Sequence, residues 1–159
     1  MKNILIVCPD KDLRKDLSKA LSKELKCLYL DADELLDFEI LNRQDIALTE
    51  ARDALHEMEA ETLRRVTGFK NCIITISHSL FVANDNFDLL KDLRRVNIVL
   101  PKSYLIAKTR KEDKYKLEQE LCLYNQINAL VSANCDVTIE KDVISIPEMC
   151  QKIIFELNK

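Results

Sequence analysis

Glycine is nearly missing from this chain of 159 residues, in which Gly68 is the single example. Average usage of about 7% would supply about eleven. Loops that wrap around phosphate groups need several glycines in a short span, because the backbone there adopts positive φ and approaches the ligand closely. The composition therefore argues against a function that rests on a glycine-rich phosphate-binding loop. Tryptophan is absent, and three prolines predict few sharp turns.

An excess of charge of either sign is also missing. The chain has 24 basic and 27 acidic residues, for a net charge of −3. Binding to nucleic acid usually needs a concentrated basic face, so no nucleic-acid partner is expected. No apolar run approaches the ~18 residues of a membrane span, and the apolar start at residues 4–7 is too short for a signal peptide. We expect a cytoplasmic protein that does not enter a membrane.

Residues that bind metals are present but not grouped. The six cysteines occur singly, without a Cys-x-x-Cys pair, and the chain has two histidines, His56 and His78. Metal sites need closely spaced ligands, so no metal site is expected. The cysteines are interpreted as small, mostly buried apolar side chains in a reducing compartment.

Apolar runs alternate with amphipathic segments along the chain. The run from Lys2 to Cys8 is rich in β-branched residues and predicts a strand buried on both faces. Asp10 is placed to cap a following helix, and Gly68 stands where a helix would end. Further strands are predicted at residues 27–30, 72–76, 97–100 and 136–139, and helices at residues 13–25, 34–41, 45–66, 87–93, 104–131 and 146–157. This alternation predicts one α/β domain, residues 1–159, with a parallel sheet covered by helices on both faces.

Three segments that end predicted strands resemble shikimate kinases, which belong to the P-loop kinases. The run from Ile4 to Leu21 matches that family's first strand, phosphate loop and first helix without gaps. Leu28–Leu36 carries two aspartates two residues apart, Asp31 and Asp33, as the family does, and 135–154 is similar to its last strand and helix. The resemblance implies a three-layer αβα fold with a five-stranded parallel sheet in the order 2-3-1-4-5.

The family's phosphate loop is not preserved. The Walker A pattern G-x-x-x-x-G-K-[ST] cradles phosphates with backbone N–H groups, a lysine and a Mg²⁺-binding hydroxyl. In the same register this chain has Cys8 and Leu13 in place of the glycines, and Arg14 and Lys15 in place of the lysine and the hydroxyl. The alignment predicts that this loop does not bind ATP and that no cofactor is bound.

Other positions of the family are also changed. Its glycine triplet after the third strand corresponds to Ser77, His78 and Ser79, which become low-specificity candidates for substrate binding. Its substrate-binding arginine falls near His56, and a second arginine falls at Glu120, ahead of Tyr124. Its lid would correspond to residues 108–114.

Two pairs of residues have a functional and a structural interpretation. Asp31 and Asp33 are vestigial catalytic candidates: the resemblance implies that Asp31 lies near the metal and that Asp33 contacts the substrate hydroxyl. In the structural interpretation they cap the next helix. In the functional interpretation, Arg14 and Lys15 still bind an anion at a helix N-terminus. In the structural interpretation, they belong to a solvated basic face. His78 between two serines suggests a nucleophile and a base, but no acid stands in view to orient it.

Three functions are compatible with these residues. The first is a pseudokinase, a kinase-like scaffold that has lost ATP binding and acts on a protein partner or a small-molecule effector, with a homodimer as one arrangement. The second is a small-molecule kinase with a non-standard phosphate site, in which Arg14 clamps an anion, Asp31 binds a metal and Asp33 is a base. The third is a receiver-like signalling domain, whose strands would be ordered 2-1-3-4-5.

Overall fold

The computed structural model describes residues 2–42, 51–108, 114–140 and 145–159. In these ranges one sheet contains five parallel strands: Ile4–Val7 (β1), Leu28–Asp31 (β2), Cys72–Ile76 (β3), Arg94–Val99 (β4) and Val137–Glu140 (β5). Their spatial order is β2-β3-β1-β4-β5. This order confirms the predicted kinase-like sheet and excludes the receiver-like alternative, in which strand 1 would lie beside strand 2.

Helices connect the strands and cover both faces of the sheet. They are Lys11–Leu25 (α1), Ala32–Asn42 (α2), Ala51–Thr67 (α3), His78–Val82 (α4), Lys102–Lys108 (α5), Lys114–Ala133 (α6) and Ile146–Leu157 (α7), and a 3-10 helical segment, Ala83–Leu90, follows α4. One buried cluster joins the sheet to α2, α3, α4 and α6, and a second joins it to α1 and α7. The three-layer arrangement is as predicted.

The central strand β1 contributes to both apolar layers. Side chains of a strand alternate between its two faces. Leu5 and Val7 belong to the cluster with α2, α3, α4 and α6, whereas Ile4 and Ile6 belong to the cluster with α1 and α7. A strand buried on both faces needs a continuous apolar run, which is the pattern that predicted β1.

The segment before β4 differs from the prediction. Residues 87–93 were expected to form a helix, but the 3-10 segment ends at Leu90 and β4 begins at Arg94, three residues before the expected Asn97. The backbone turns at Asn84 and Asp85, whose φ angles are 49° and 55°. Arg94 and its neighbour pair with Ile4 and Leu5 of β1. Pairing with the central strand thus outweighs the low strand propensity of two arginines.

The two ends of α3 were also predicted from the sequence. The predicted start of the third helix at Asp45 lies outside the described residues, and α3 is described from Ala51. Gly68 directly follows α3, as expected, but its φ is not positive; the left-handed conformation occurs instead at Asn71, where φ is 54°. Within the described ranges, no helix is both long enough and apolar enough to cross a bilayer.

Candidate functional site

The connection between β1 and α1 lies at the carboxyl edge of the sheet, where parallel α/β sheets bind their ligands. It is short, because β1 ends at Val7 and α1 begins at Lys11. The Asp10 carboxylate accepts a hydrogen bond from the N–H of Leu13 at 3.0 Å and another from the hydroxyl of Tyr104 at 2.8 Å. Asp10 therefore caps α1, as predicted, and its negative charge occupies the positive end of the helix dipole.

Arg14 is buried next to this connection, with 3% of its surface exposed. Its Nη1 donates a hydrogen bond to the carbonyl of Cys8 at 2.9 Å. Its Nε lies 3.7 Å from Oδ2 of Asp31, and its Nη2 lies 3.9 Å from Oδ2 of Asp33. One candidate from α1 and two from the junction of β2 and α2 thus meet in one group, which we call the ion cluster (Arg14, Asp31 and Asp33).

Each aspartate of the ion cluster has a second partner. Oδ1 of Asp31 accepts a hydrogen bond from the N–H of Glu34 at 3.0 Å, so Asp31 also caps the start of α2. Asp33 accepts two hydrogen bonds from Ser77, from its N–H at 2.7 Å and from its hydroxyl at 2.6 Å. Asp31 therefore caps α2, and the hydrogen bonds from Ser77 to Asp33 connect α2 to the residue that follows β3.

The Ser77–His78–Ser79 triplet is used locally for structure. The hydroxyl of Ser77 accepts a hydrogen bond from the N–H of Leu80 at 3.2 Å and lies 3.3 Å from the hydroxyl of Ser79. Neither serine hydroxyl has a hydrogen bond to His78 among the described contacts. The triplet is therefore no nucleophile–base pair in this arrangement.

His78 belongs to a buried polar network. Its Nε2 lies 2.9 Å from Oδ1 of Asn97, whose Nδ2 donates to Oδ1 of Asn128 and to the hydroxyl of Ser132, each at 3.0 Å. The imidazole stacks on the ring of Tyr124, with centroids 5.9 Å apart. Burial lowers the pKa of His78 to about 4; the hydrogen bond to Asn97 opposes this shift and the charge of Arg14 adds to it. His78 is thus a neutral imidazole at pH 7.

Two candidates lie outside this group. Lys15 is half-exposed, and its Nζ lies 4.0 Å from Oε1 of Glu34, which agrees with a solvated basic face. His56 is exposed on α3 and lines a different cleft, with Asp53 and Glu59. Neither the ion cluster nor the serine–histidine triplet lines that cleft. Most of the segment expected to correspond to the family's lid, residues 109–113, lies outside the described residues.

A pocket of about 240 Å³ adjoins the triplet at the carboxyl edge. We call it the carboxyl-edge pocket. Its described lining includes Pro9, Ser77, His78, Ser79, Glu120 and Tyr124, with Leu123 and Ile127 from α6. The Tyr124 hydroxyl accepts a hydrogen bond from the N–H of Leu100 at 2.9 Å, which fixes that wall of the pocket.

The network behind the pocket was not predicted from the sequence. Asn97 is fully buried in β4 between Val96 and Ile98. A carboxamide inside an apolar strand indicates a buried hydrogen-bond network, because buried polar groups need partners. The sequence does not say which partners, since Asn128 and Ser132 belong to a helix more than thirty residues away.

The cysteines are free thiols, and Cys122 is the exposed one. Burial raises the pKa of Cys135 to about 12, so this thiol does not ionise at neutral pH. Among the residues that the structure describes, no three Cys, His, Asp or Glu side chains are grouped to hold a metal ion.

Comparison with known proteins identifies the fold. No protein-family model matches the chain, and no curated protein matches it in sequence. Among solved structures, a shikimate kinase from Acinetobacter baumannii in complex with shikimate is similar, with 18% identity, a TM-score of 0.79, and coverage of 99% of this chain and 93% of that one. A shikimate kinase from Bacteroides thetaiotaomicron has 16% identity, a TM-score of 0.75 and 99% coverage of both chains.

More distant kinases share the same architecture. A dephospho-CoA kinase from Campylobacter jejuni has 13% identity and a TM-score of 0.63, with coverage of 98% of this chain and 96% of that one. At these identities the similarity concerns the fold. Together with the strand order, it shows that the chain has the fold of shikimate kinases and related P-loop kinases.

Proposed function

We propose that this chain is a binding module on a kinase fold: it does not bind nucleotide at the connection between β1 and α1, and it acts by binding a protein partner or a small effector. The observation that carries this proposal is that charged side chains at the β1–α1 connection, which aligns with the family's phosphate loop, are already bonded to groups of the chain itself. Asp10 caps α1, and Arg14 is held by Cys8, Asp31 and Asp33.

Asp10 competes directly with a phosphate. In a working phosphate loop, backbone N–H groups at the helix start point at the ligand. Here one of the N–H groups at the start of α1, that of Leu13, donates to the Asp10 carboxylate instead. A phosphate charge about 4 Å from this carboxylate would be repelled by roughly 4 kcal/mol at an effective dielectric of 20.

The ion cluster removes the second means of binding phosphate. Arg14 replaces the Walker lysine in the alignment, but its guanidinium is buried against Asp31 and Asp33 rather than open to solvent. Turning it toward a nucleotide would leave the buried carboxylate of Asp31 without its cation, and breaking a buried ion pair costs about 3–5 kcal/mol. The free energy of nucleotide binding would have to exceed that loss.

A small-molecule kinase with a non-standard phosphate site is the second candidate. It is favoured by the convergence of Arg14, Asp31 and Asp33 at the carboxyl edge, where an anion clamp, a metal ligand and a base would be required. In that case the ion cluster would have to open when substrate binds.

The cellular setting is part of the proposal. Six free thiols agree with a reducing compartment, so we place the protein in the cytoplasm. The partner is either another protein, a second copy of the chain included, or a small molecule at the carboxyl edge.

Thermal unfolding with and without Mg·ATP, Mg·ADP and shikimate tests the proposal. A ligand present at about a hundred times its Kd stabilises a fold by ~2.7 kcal/mol, which at this size raises Tm by roughly 5–10 °C. We expect no shift with either nucleotide, while a shikimate kinase measured in the same buffers shifts with ATP.

A clear shift with ATP would overturn the proposal and favour the second candidate. Phosphotransfer to shikimate and other small alcohols would then be measured. Arg14→Met and Asp33→Asn are the variants that should abolish it, with Lys15→Met as the matched control.

A further inference from the structure

The carboxyl-edge pocket has the size of a small ring. Its volume is about 240 Å³, and a cavity of roughly 150 Å³ accommodates benzene. Leu123, Tyr124 and Ile127 of α6 supply an apolar wall, and the serine–histidine triplet supplies a polar one. This combination of apolar walls and a few placed polar groups is typical of small-molecule sites.

The polar wall contains a buried acceptor without a partner. Nδ2 of Asn97 donates to Asn128 and Ser132, so its Oδ1 is an acceptor and Nε2 of His78 must carry the proton that it receives. Nδ1 of His78 is then the unprotonated nitrogen. It is buried without a hydrogen-bond partner, and His78 as a whole is 4% exposed. This nitrogen makes His78 a sensitive reporter of changes at the pocket, because a small shift of the ring changes its surroundings.

The charge of the described lining is negative. Glu120 is its one charged residue, and no lysine or arginine is among the described lining residues. In the alignment with shikimate kinases, Glu120 stands where the family has an arginine. A ligand carboxylate would therefore meet a like charge, whereas an ammonium group would meet an opposite one.

We propose that the carboxyl-edge pocket binds a small ring compound that carries a protonated amine, and that it discriminates against the corresponding carboxylate. Glu120 supplies the charge complement, and the apolar wall of Leu123, Tyr124 and Ile127 contacts the ring. This ligand class rests on the proposed function, because it assumes that the pocket rather than the β1–α1 connection holds the effector.

Three probes with the same ring test the assignment: benzylamine, which is cationic at pH 7, benzyl alcohol, which is neutral, and benzoate. Their affinities are measured by NMR on protein with ¹⁵N-labelled histidine. The chain has two histidines. His78 reports on the pocket, and His56, exposed on another cleft, is the internal control.

The expected order of affinity is benzylamine, then benzyl alcohol, then benzoate, with benzylamine at least fivefold tighter than benzoate. The Nδ1 resonance of His78 should move and those of His56 should not. Glu120→Gln should weaken benzylamine two- to fivefold and reduce the preference over benzoate. Glu118→Gln, an exposed neighbour on α6 outside the lining, should leave both unchanged.

Equal or stronger binding of benzoate would overturn the proposal, as would the absence of any His78 response to millimolar benzylamine. An unchanged preference in Glu120→Gln would overturn the role of Glu120. These results are separable from the proposed function, because nucleotide binding is measured independently: a protein that ignores both ATP and benzylamine retains the first proposal and loses this one.

Discussion

His78 is flanked by serines, a sequence that suggests catalysis, yet its environment gives it another role. The imidazole contacts a carboxamide rather than a carboxylate, and it stacks on Tyr124. A catalytic base needs a pKa near the operating pH. Because burial lowers the pKa of His78 to about 4, this residue serves as a neutral hydrogen-bonding group.

Burial of His78 makes the protein sensitive to acid. The unfolded chain binds a proton at this residue near its ordinary pKa of 6.5, whereas the folded chain does so only near 4. Unfolding therefore takes up a proton in this window, so the free energy of unfolding decreases as the pH falls from 6.5 to 4. The contribution of His78 is about 3 kcal/mol, since each pKa unit corresponds to ~1.4 kcal/mol.

Urea unfolding of wild type and His78→Gln at several pH values measures this contribution. The difference in stability between the two should change by about 3 kcal/mol between pH 6.5 and 4, in favour of the variant at low pH. His56→Gln controls for the loss of a histidine at an exposed position. Parallel pH curves for wild type and His78→Gln would contradict the prediction.

Helices and strands at the carboxyl edge are joined by the ion cluster. Arg14 belongs to α1, Asp31 ends β2 and Asp33 lies in the first turn of α2. Asp33 extends the connection to the end of β3 through Ser77. One arginine thus holds together elements that come from both faces of the sheet.

Arg14→Met is expected to lower the free energy of unfolding by about 3–5 kcal/mol at pH 7, because it leaves two carboxylates without their buried cation. Lys15→Met is the matched control: its partner Glu34 is exposed, so the change should stay below about 1 kcal/mol. Both are measured by urea unfolding. Equal losses in the two variants would mean that Arg14 contributes no more than a surface charge.

The whole molecule has two apolar layers that share the central strands. Leu5 and Ile74 face one layer, and Ile6 and Ile73 face the other. Loss of either layer would expose one face of β1 and β3, which are buried on both. From this coupling we expect the described residues to unfold as one cooperative unit.

Urea unfolding followed by far-ultraviolet circular dichroism and by tyrosine fluorescence tests this coupling; the chain has four tyrosines and no tryptophan. The two probes should give one coincident transition, as expected for a two-state domain. Separate midpoints would indicate that the two layers unfold independently.

Much of the fold could be predicted because local patterns and the global fold agree. The apolar run at 2–8, the Asp10 cap and the helical spacing of Leu13, Leu17 and Leu21 each depend on near neighbours in the sequence. The predicted helix at residues 87–93 is 3-10 up to Leu90 and wrong at residues 91–93, where pairing of Arg94 with the central strand decides the boundary. Arg14, Asp31 and Asp33 were assigned together to one alternative site, but the sequence did not give the direct ion pairs among them.

The sequence by itself determined the fold class and, through its resemblance to shikimate kinases, the strand order, because these depend on residue types at fixed spacing. Only the tertiary structure decided that Arg14 meets Asp31 and Asp33, that His78 reaches Asn97, and that His56 stays apart. A sequence allows each charged or polar side chain many different hydrogen-bonding or ion-pair partners. The packing of the layers selects one of them by distance and by exclusion of water.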